Sequence, residues 1–104
     1  MNRNFTQIME KQVLRGMILK ISNAAEPLGA GTDIIQSAIK QYGYSVSKED
    51  ILIGCKYLQG KGLVIVKNVR NEVLGISRDI VHITSKGIDV LEGTVITEGI
   101  ELID

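Results

Sequence analysis

Ser47-Lys48-Glu49-Asp50-Ile51-Leu52-Ile53-Gly54-Cys55-Lys56-Tyr57-Leu58-Gln59-Gly60-Lys61-Gly62-Leu63-Val64-Ile65-Val66 is the stretch that decides the fold. It opens with a hydroxyl at a candidate N-cap and a carboxylate three residues later. In that arrangement each side chain satisfies a free N–H of the first helical turn. A helix is therefore expected over residues 48–59. Ile51, Leu52, Cys55 and Leu58 wind onto one face of it, which is read as the buried face. Gly60 and Gly62 stop the pattern, because glycine reaches left-handed backbone angles without strain, and Lys61 suits the negative end of the helix dipole. Leu63-Val64-Ile65-Val66 then favours a strand with almost no linker. A second β-type run, Ile80-Val81-His82-Ile83-Thr84, follows a polar segment, and the simplest join is an antiparallel hairpin with a long tip.

Two segments in this order carry a family resemblance. Tyr57-Leu58-Gln59-Gly60-Lys61-Gly62-Leu63-Val64 resembles the way the chain leaves the recognition helix in winged helix-turn-helix proteins of the multiple-antibiotic-resistance and arsenic-repressor types. His82-Ile83-Thr84-Ser85-Lys86-Gly87-Ile88-Asp89-Val90-Leu91-Glu92 resembles their approach to the final helix. The resemblance spans Met9 to Gly93. It implies an α+β winged helix with a three-helix core, a β-hairpin wing over 63–84 and a C-terminal helix. It also implies double-stranded DNA binding in prokaryotic or phage transcription regulation, and a short third strand beside the wing near Leu28.

Upstream, Phe5, Ile8, Met9, Val13, Met17, Ile18 and Ile21 fall at helical spacing, and Leu14 and Leu19 widen the apolar surface. A helix over about 5–22 with more than one apolar face has more to bury than its own core requires. We read the surplus as a homodimer interface; a tight monomer core is the alternative. Pro27 and two glycines mark an irregular connection. Thr32 is the expected cap of a second helix, 33–42, with Asp33 beside its positive end and Gly43 as its stop. Val46 precedes the Ser47 cap and staples the turn to the core. Two helices joined by a short turn meet the helix-turn-helix requirement.

Composition narrows the function. A chain of 104 residues makes one domain, and 44% hydrophobic with 23% charged residues is ordinary for a globular protein. No apolar run approaches the roughly 18 residues of a membrane span, and the N-terminus lacks the apolar core of a secretory signal, so the cytoplasm is expected. Residues 1–88 hold all 12 cationic side chains and 7 of the 12 acids, leaving the last 16 residues purely acidic. That distribution permits nucleic-acid binding without demanding it. Cys55 and His82, the only cysteine and histidine, fall short of the three or four ligands of a zinc site, and the paired cysteines of arsenic-type repressors are absent. No metal or cofactor is assigned. Nothing in the chain assembles a nucleophile, base and acid, so an enzyme is not expected.

The candidate DNA-binding residues are Lys48, Glu49, Ile53, Lys56, Tyr57 and Lys61 on the central helix and Lys67, Arg70, Asn71 and Arg78 on the wing. The cations would set affinity, while Ile53 against a thymine methyl, Glu49 against cytosine, and Tyr57 would set base choice. In the alternative reading Ile53 and Tyr57 form a protein contact and nucleic acid plays no part. Val69, Val73, Leu74 and Ile76 are too apolar for a freely solvated wing tip, so part of it is expected to pack on the body or on another subunit. Ser85 is the expected cap of the last helix. Residues 94–104 read as an acidic, apolar extended arm that completes a dimer interface, covers the basic body, or lies on its own domain.

Overall fold

The computed structural model describes residues 3–103, with side chains from Glu10 onward. Phe5, Ile8 and Met9, counted above among the apolar rows of the first helix, have side chains outside that range. The elements are α1 (Arg3–Ala24), β1 (Ala30–Gly31), α2 (Thr32–Gln41), α3 (Lys48–Gly60), β2 (Val64–Asn71), β3 (Ile76–Ile83) and α4 (Ser85–Glu92). The three strands form one antiparallel sheet in the order β1-β3-β2.

The Ser47 reading holds in full. The Ser47 hydroxyl accepts the Asp50 N–H and the Asp50 carboxylate accepts the Ser47 N–H, each at 3.0 Å. At the other end Gly62 has a φ of 76°. Its N–H reaches the Gln59 carbonyl at 2.9 Å, and the Leu63 N–H reaches the Leu58 carbonyl at 3.0 Å. This pair of bonds closes the helix carbonyls and aims Leu63 back at Leu58. Both side chains are fully buried. The turn that ends the helix thus also starts the sheet inside the core.

The core joins Met17, Ile18 and Leu19 of α1, Ile35 and Ile39 of α2, Ile51, Cys55 and Leu58 of α3, Leu63, Val64 and Val81 of the sheet, and Val90 of α4. Ser22, the one buried polar side chain among the described residues, donates to the Ile18 carbonyl one helical turn back. Val46 packs against the core, as the staple reading requires.

Several expectations are corrected. Leu52 is exposed, and Gly54 takes the inward position instead, where an added Cβ would lie 2.8 Å from the Ile18 Cδ1. The cap of α2 is Gly31, the last residue of β1, rather than Thr32, and glycine has no side chain with which to bond the first turn. The cap of α4 is Thr84 rather than Ser85; its hydroxyl accepts the Gly87 N–H. The third strand lies at Ala30–Gly31, paired with Val81 and Ile80, while Leu28 points into solvent. The tip residues Val73 and Leu74 are 95% and 67% exposed, so the wing does not pack back on the body.

The arm covers part of α1. Residues 94–103 are neither helix nor strand and run back along α1, where the Glu101 N–H bonds the Gln12 carbonyl at 3.0 Å and Ile100 packs on the core. The arm lies on its own domain without forming a strand, and its carbonyls accept from Arg15 and Lys20.

Candidate nucleic-acid interface

α3 is buried along Ile51, Gly54, Cys55 and Leu58. At 100° per residue its opposite face centres on Glu49, Ile53, Lys56 and Gly60. All four are exposed, Ile53 by 56%. Among the described residues, no hydrogen bond or ion pair within the chain engages the side chains of Glu49 or Lys56. Lys48 and Lys61 are exposed at the two ends of the same helix.

The wing stands beside this face. Gln59, in the last turn of α3, accepts the Val66 main-chain N–H at 2.7 Å through its side-chain oxygen. β2 and β3 pair from Val64↔Ile83 out to Asn71↔Ile76, so the ribbon projects well beyond the core. Lys67 and Arg70 are exposed on it. The Asn71 side-chain oxygen accepts the Leu74 N–H at 3.0 Å, closing the tip together with Gly75 at φ 64°. Arg78 reaches across β1 to Asp33 in the first turn of α2, with N and O 2.8 Å apart. That hydrogen bond holds the Asp33 carboxyl below its ordinary value.

The structure thus brings Glu49, Ile53, Lys56, Lys67 and Arg70 out as exposed side chains around one helix and its wing. It puts Asn71 into the turn and Arg78 into an ion pair. Tyr57 lies elsewhere. The Arg15 guanidinium sits 3.6 Å from its ring centre, and its hydroxyl donates to the Glu98 carbonyl at 3.3 Å. Its ring is therefore held between α1 and the arm.

Sequence reasoning passed over Gln59, which ties helix to wing, and Arg15, which ties α1 to α3. A Gln in the last turn before a strand carried the first signal; for Arg15 the sequence carried none. His82 and Glu26 form a separate pair at 3.1 Å, and Glu26 also accepts the Ile83 N–H. Cys55 is buried, and desolvation pushes its thiol up to about 11, with the Asp79 charge adding to the effect. Among the described residues, no three His, Cys, Asp or Glu side chains gather to hold a metal ion, and no helix is long and apolar enough to cross a membrane.

A helix-turn-helix whose second helix leads into a two-stranded ribbon, with a third short strand and a closing helix, is the winged-helix fold. Solved structures share it. A PadR-like transcription factor from Bacteroides fragilis superposes with a TM-score of 0.73 at 20% identity, over 88% of this chain and 84% of that one. A PadR family transcription regulator from hypervirulent Clostridium difficile gives 0.65 at 17% identity, over 78% and 81%. The winged-helix expectation is met, with neighbours of the PadR kind rather than the multiple-antibiotic-resistance and arsenic-repressor types that the motifs resemble. No protein-family model and no curated protein matches the sequence.

Proposed function

We propose that the chain is a transcription regulator of a prokaryote or its phage that binds double-stranded DNA as a homodimer in the cytoplasm. α3 enters the major groove and the wing lies over the adjacent backbone. The observation that carries this reading is the exposed face of α3, on which Glu49 and Lys56 have no partner among the described residues, set beside a wing that projects Lys67 and Arg70. The solved neighbours, named as transcription factors, support it. Lys48, Lys56, Lys61, Lys67 and Arg70 contact phosphates, and Glu49 and Ile53 face base edges. Asn71 shapes the wing tip, and Arg78 joins the contacts once it leaves Asp33.

One observation favours a second reading, a winged-helix module that binds protein. Leu52 and Ile53 are exposed side by side on α3, and Val73 and Leu74 crown the wing. Fluorescence anisotropy with a generic duplex at low and moderate salt separates the two. Salt-sensitive binding that Lys56→Glu with Arg70→Glu abolishes is the expected result. Non-specific DNA binders have dissociation constants of about 1 to 100 micromolar, so silence across that range would leave the protein-binding module as the better account.

A further inference from the structure

Gly16 stands in the interior of α1, where glycine is disfavoured relative to alanine. Its place is explained by what crosses it: a Cβ there would strike the Glu101 carbonyl group and lie 3.3 Å from the Leu102 Cδ2. The arm is seated by a backbone close approach that only glycine allows. Four polar contacts follow the same line. The Gln12 carbonyl accepts the Glu101 N–H, Arg15 donates to the Gly99 carbonyl at 2.9 Å, Lys20 donates to the Ile103 carbonyl, and Tyr57 donates to the Glu98 carbonyl. Gly99 has a φ of 87°, and a Cβ on it would strike the Tyr57 hydroxyl.

Tyr57 and Gln59 lie two residues apart on α3, hence roughly 200° apart around it. They occupy opposite flanks of the face centred on Ile53. Gln59 fastens one flank to the wing at Val66. Tyr57 fastens the other, with Arg15 packed on its ring while bonding the arm on the same side. We propose that Arg15 and Tyr57 are positioning residues through which residues 98–103, strapped along α1, fix the flank of the recognition helix that the wing leaves free. Tyr57 then acts on DNA binding through the placement of α3 rather than by touching DNA. This consequence rests on the DNA-binding reading; the strap itself does not.

Gly16→Ala in the full chain is the test, because alanine strengthens the helix while its methyl displaces the strap. Amide hydrogen exchange is expected to quicken at residues 98–103 and at Lys56–Lys61, with the buried amides of α1 unchanged. Duplex affinity is expected to fall on the order of five-fold, since DNA must then order a helix flank that was held in advance. Tyr57→Phe, which keeps the ring under Arg15 and removes only the bond to Glu98, should lower affinity less and in the same direction. Glu98→Gln with Glu101→Gln, which removes charge and leaves the seat, should alter salt dependence without quickening exchange at Lys56–Lys61.

Unchanged exchange at residues 98–103 in Gly16→Ala would refute the seat, and unchanged exchange at Lys56–Lys61 would refute the positioning role. A rise in affinity would show the arm acting by charge repulsion instead and would equally overturn the proposal. If the unaltered chain binds no duplex, the DNA-binding reading fails, and the exchange measurements still decide the strap.

Discussion

Gln59 and Val66 are joined by a side-chain to main-chain hydrogen bond of 2.7 Å that spans the junction between α3 and the first strand of the wing. Only the turn at Gly60–Leu63 separates the two elements, so this bond fixes the angle at which the ribbon leaves the helix. Replacing Gln59 by Ala removes the acceptor and exposes the Val66 N–H to water. The expected cost is about 0.5–1 kcal/mol of stability, the net worth of an accessible hydrogen bond. Gln59→Glu keeps an acceptor and should retain most of it. Urea denaturation of the three proteins checks the order.

Ser47→Ala removes the hydroxyl that accepts the Asp50 N–H at the start of α3 and leaves the main-chain N–H at position 47 able to reach the Asp50 carboxylate. A loss of about 1 kcal/mol is expected, with an unchanged denaturant slope because the core is untouched. A loss below the error of the fit would mean that water replaces the cap.

The Asp33–Arg78 pair gives a pH dependence of definite sign. The Arg78 hydrogen bond lowers the Asp33 carboxyl in the folded chain from its ordinary 3.8. A depressed carboxylate contributes stability that is present above the unfolded-state value and lost as pH falls through the folded one. Stability should therefore drop as pH falls below about 3.8, and Asp33→Asn should flatten that part of the profile. The same variant frees Arg78, so under the DNA-binding reading its duplex affinity at neutral pH should rise and its salt dependence steepen.

Cys55 sets the opposite limb. Its thiol titrates at about 11 in the folded chain against an ordinary 9.0, because burial disfavours the thiolate. A raised value contributes stability that is complete below 9.0 and lost as pH rises toward 11, where the unfolded state ionises first. Cys55→Ala should remove that decline at the expense of a cavity. In the native protein at neutral pH the thiol should react with a disulfide reagent only as fast as the chain opens, and a prompt stoichiometric reaction would contradict its burial.

Much of the fold was legible because it is written in local chemistry. The Ser47 cap, the glycines at 43 and 62 and the β-favouring run Leu63-Val64-Ile65-Val66 act within a few residues, and each lies where it was expected. The errors share a physical origin in contacts that are distant along the chain. Leu52 was counted inward for its apolarity, but Gly54, which has no hydropathy to count, is the residue that Ile18 packs on. Thr32 looked like a cap until β1 extended to Gly31. Nothing in the sequence shows that the arm returns 84 residues to meet Arg15 and cover part of α1. At the candidate site the sequence did not show which side chains the fold engages: Tyr57, Asn71 and Arg78 are bonded within the chain, while Glu49, Ile53, Lys56, Lys67 and Arg70 are exposed.

β2 is the outer strand of its sheet, and a strand with one open side is a template on which another chain can add. The Val66 N–H faces that side and is already taken by Gln59, and the strand alternation leaves Asn68 and Arg70 as the next outward donors before the tip. Lys67 and Arg70 bring like charges to the remaining stretch and repel a second copy of the same strand. The last turn of α3 thus also guards the sheet against self-templated growth, and the border of the wing is closed to a second copy of the same strand.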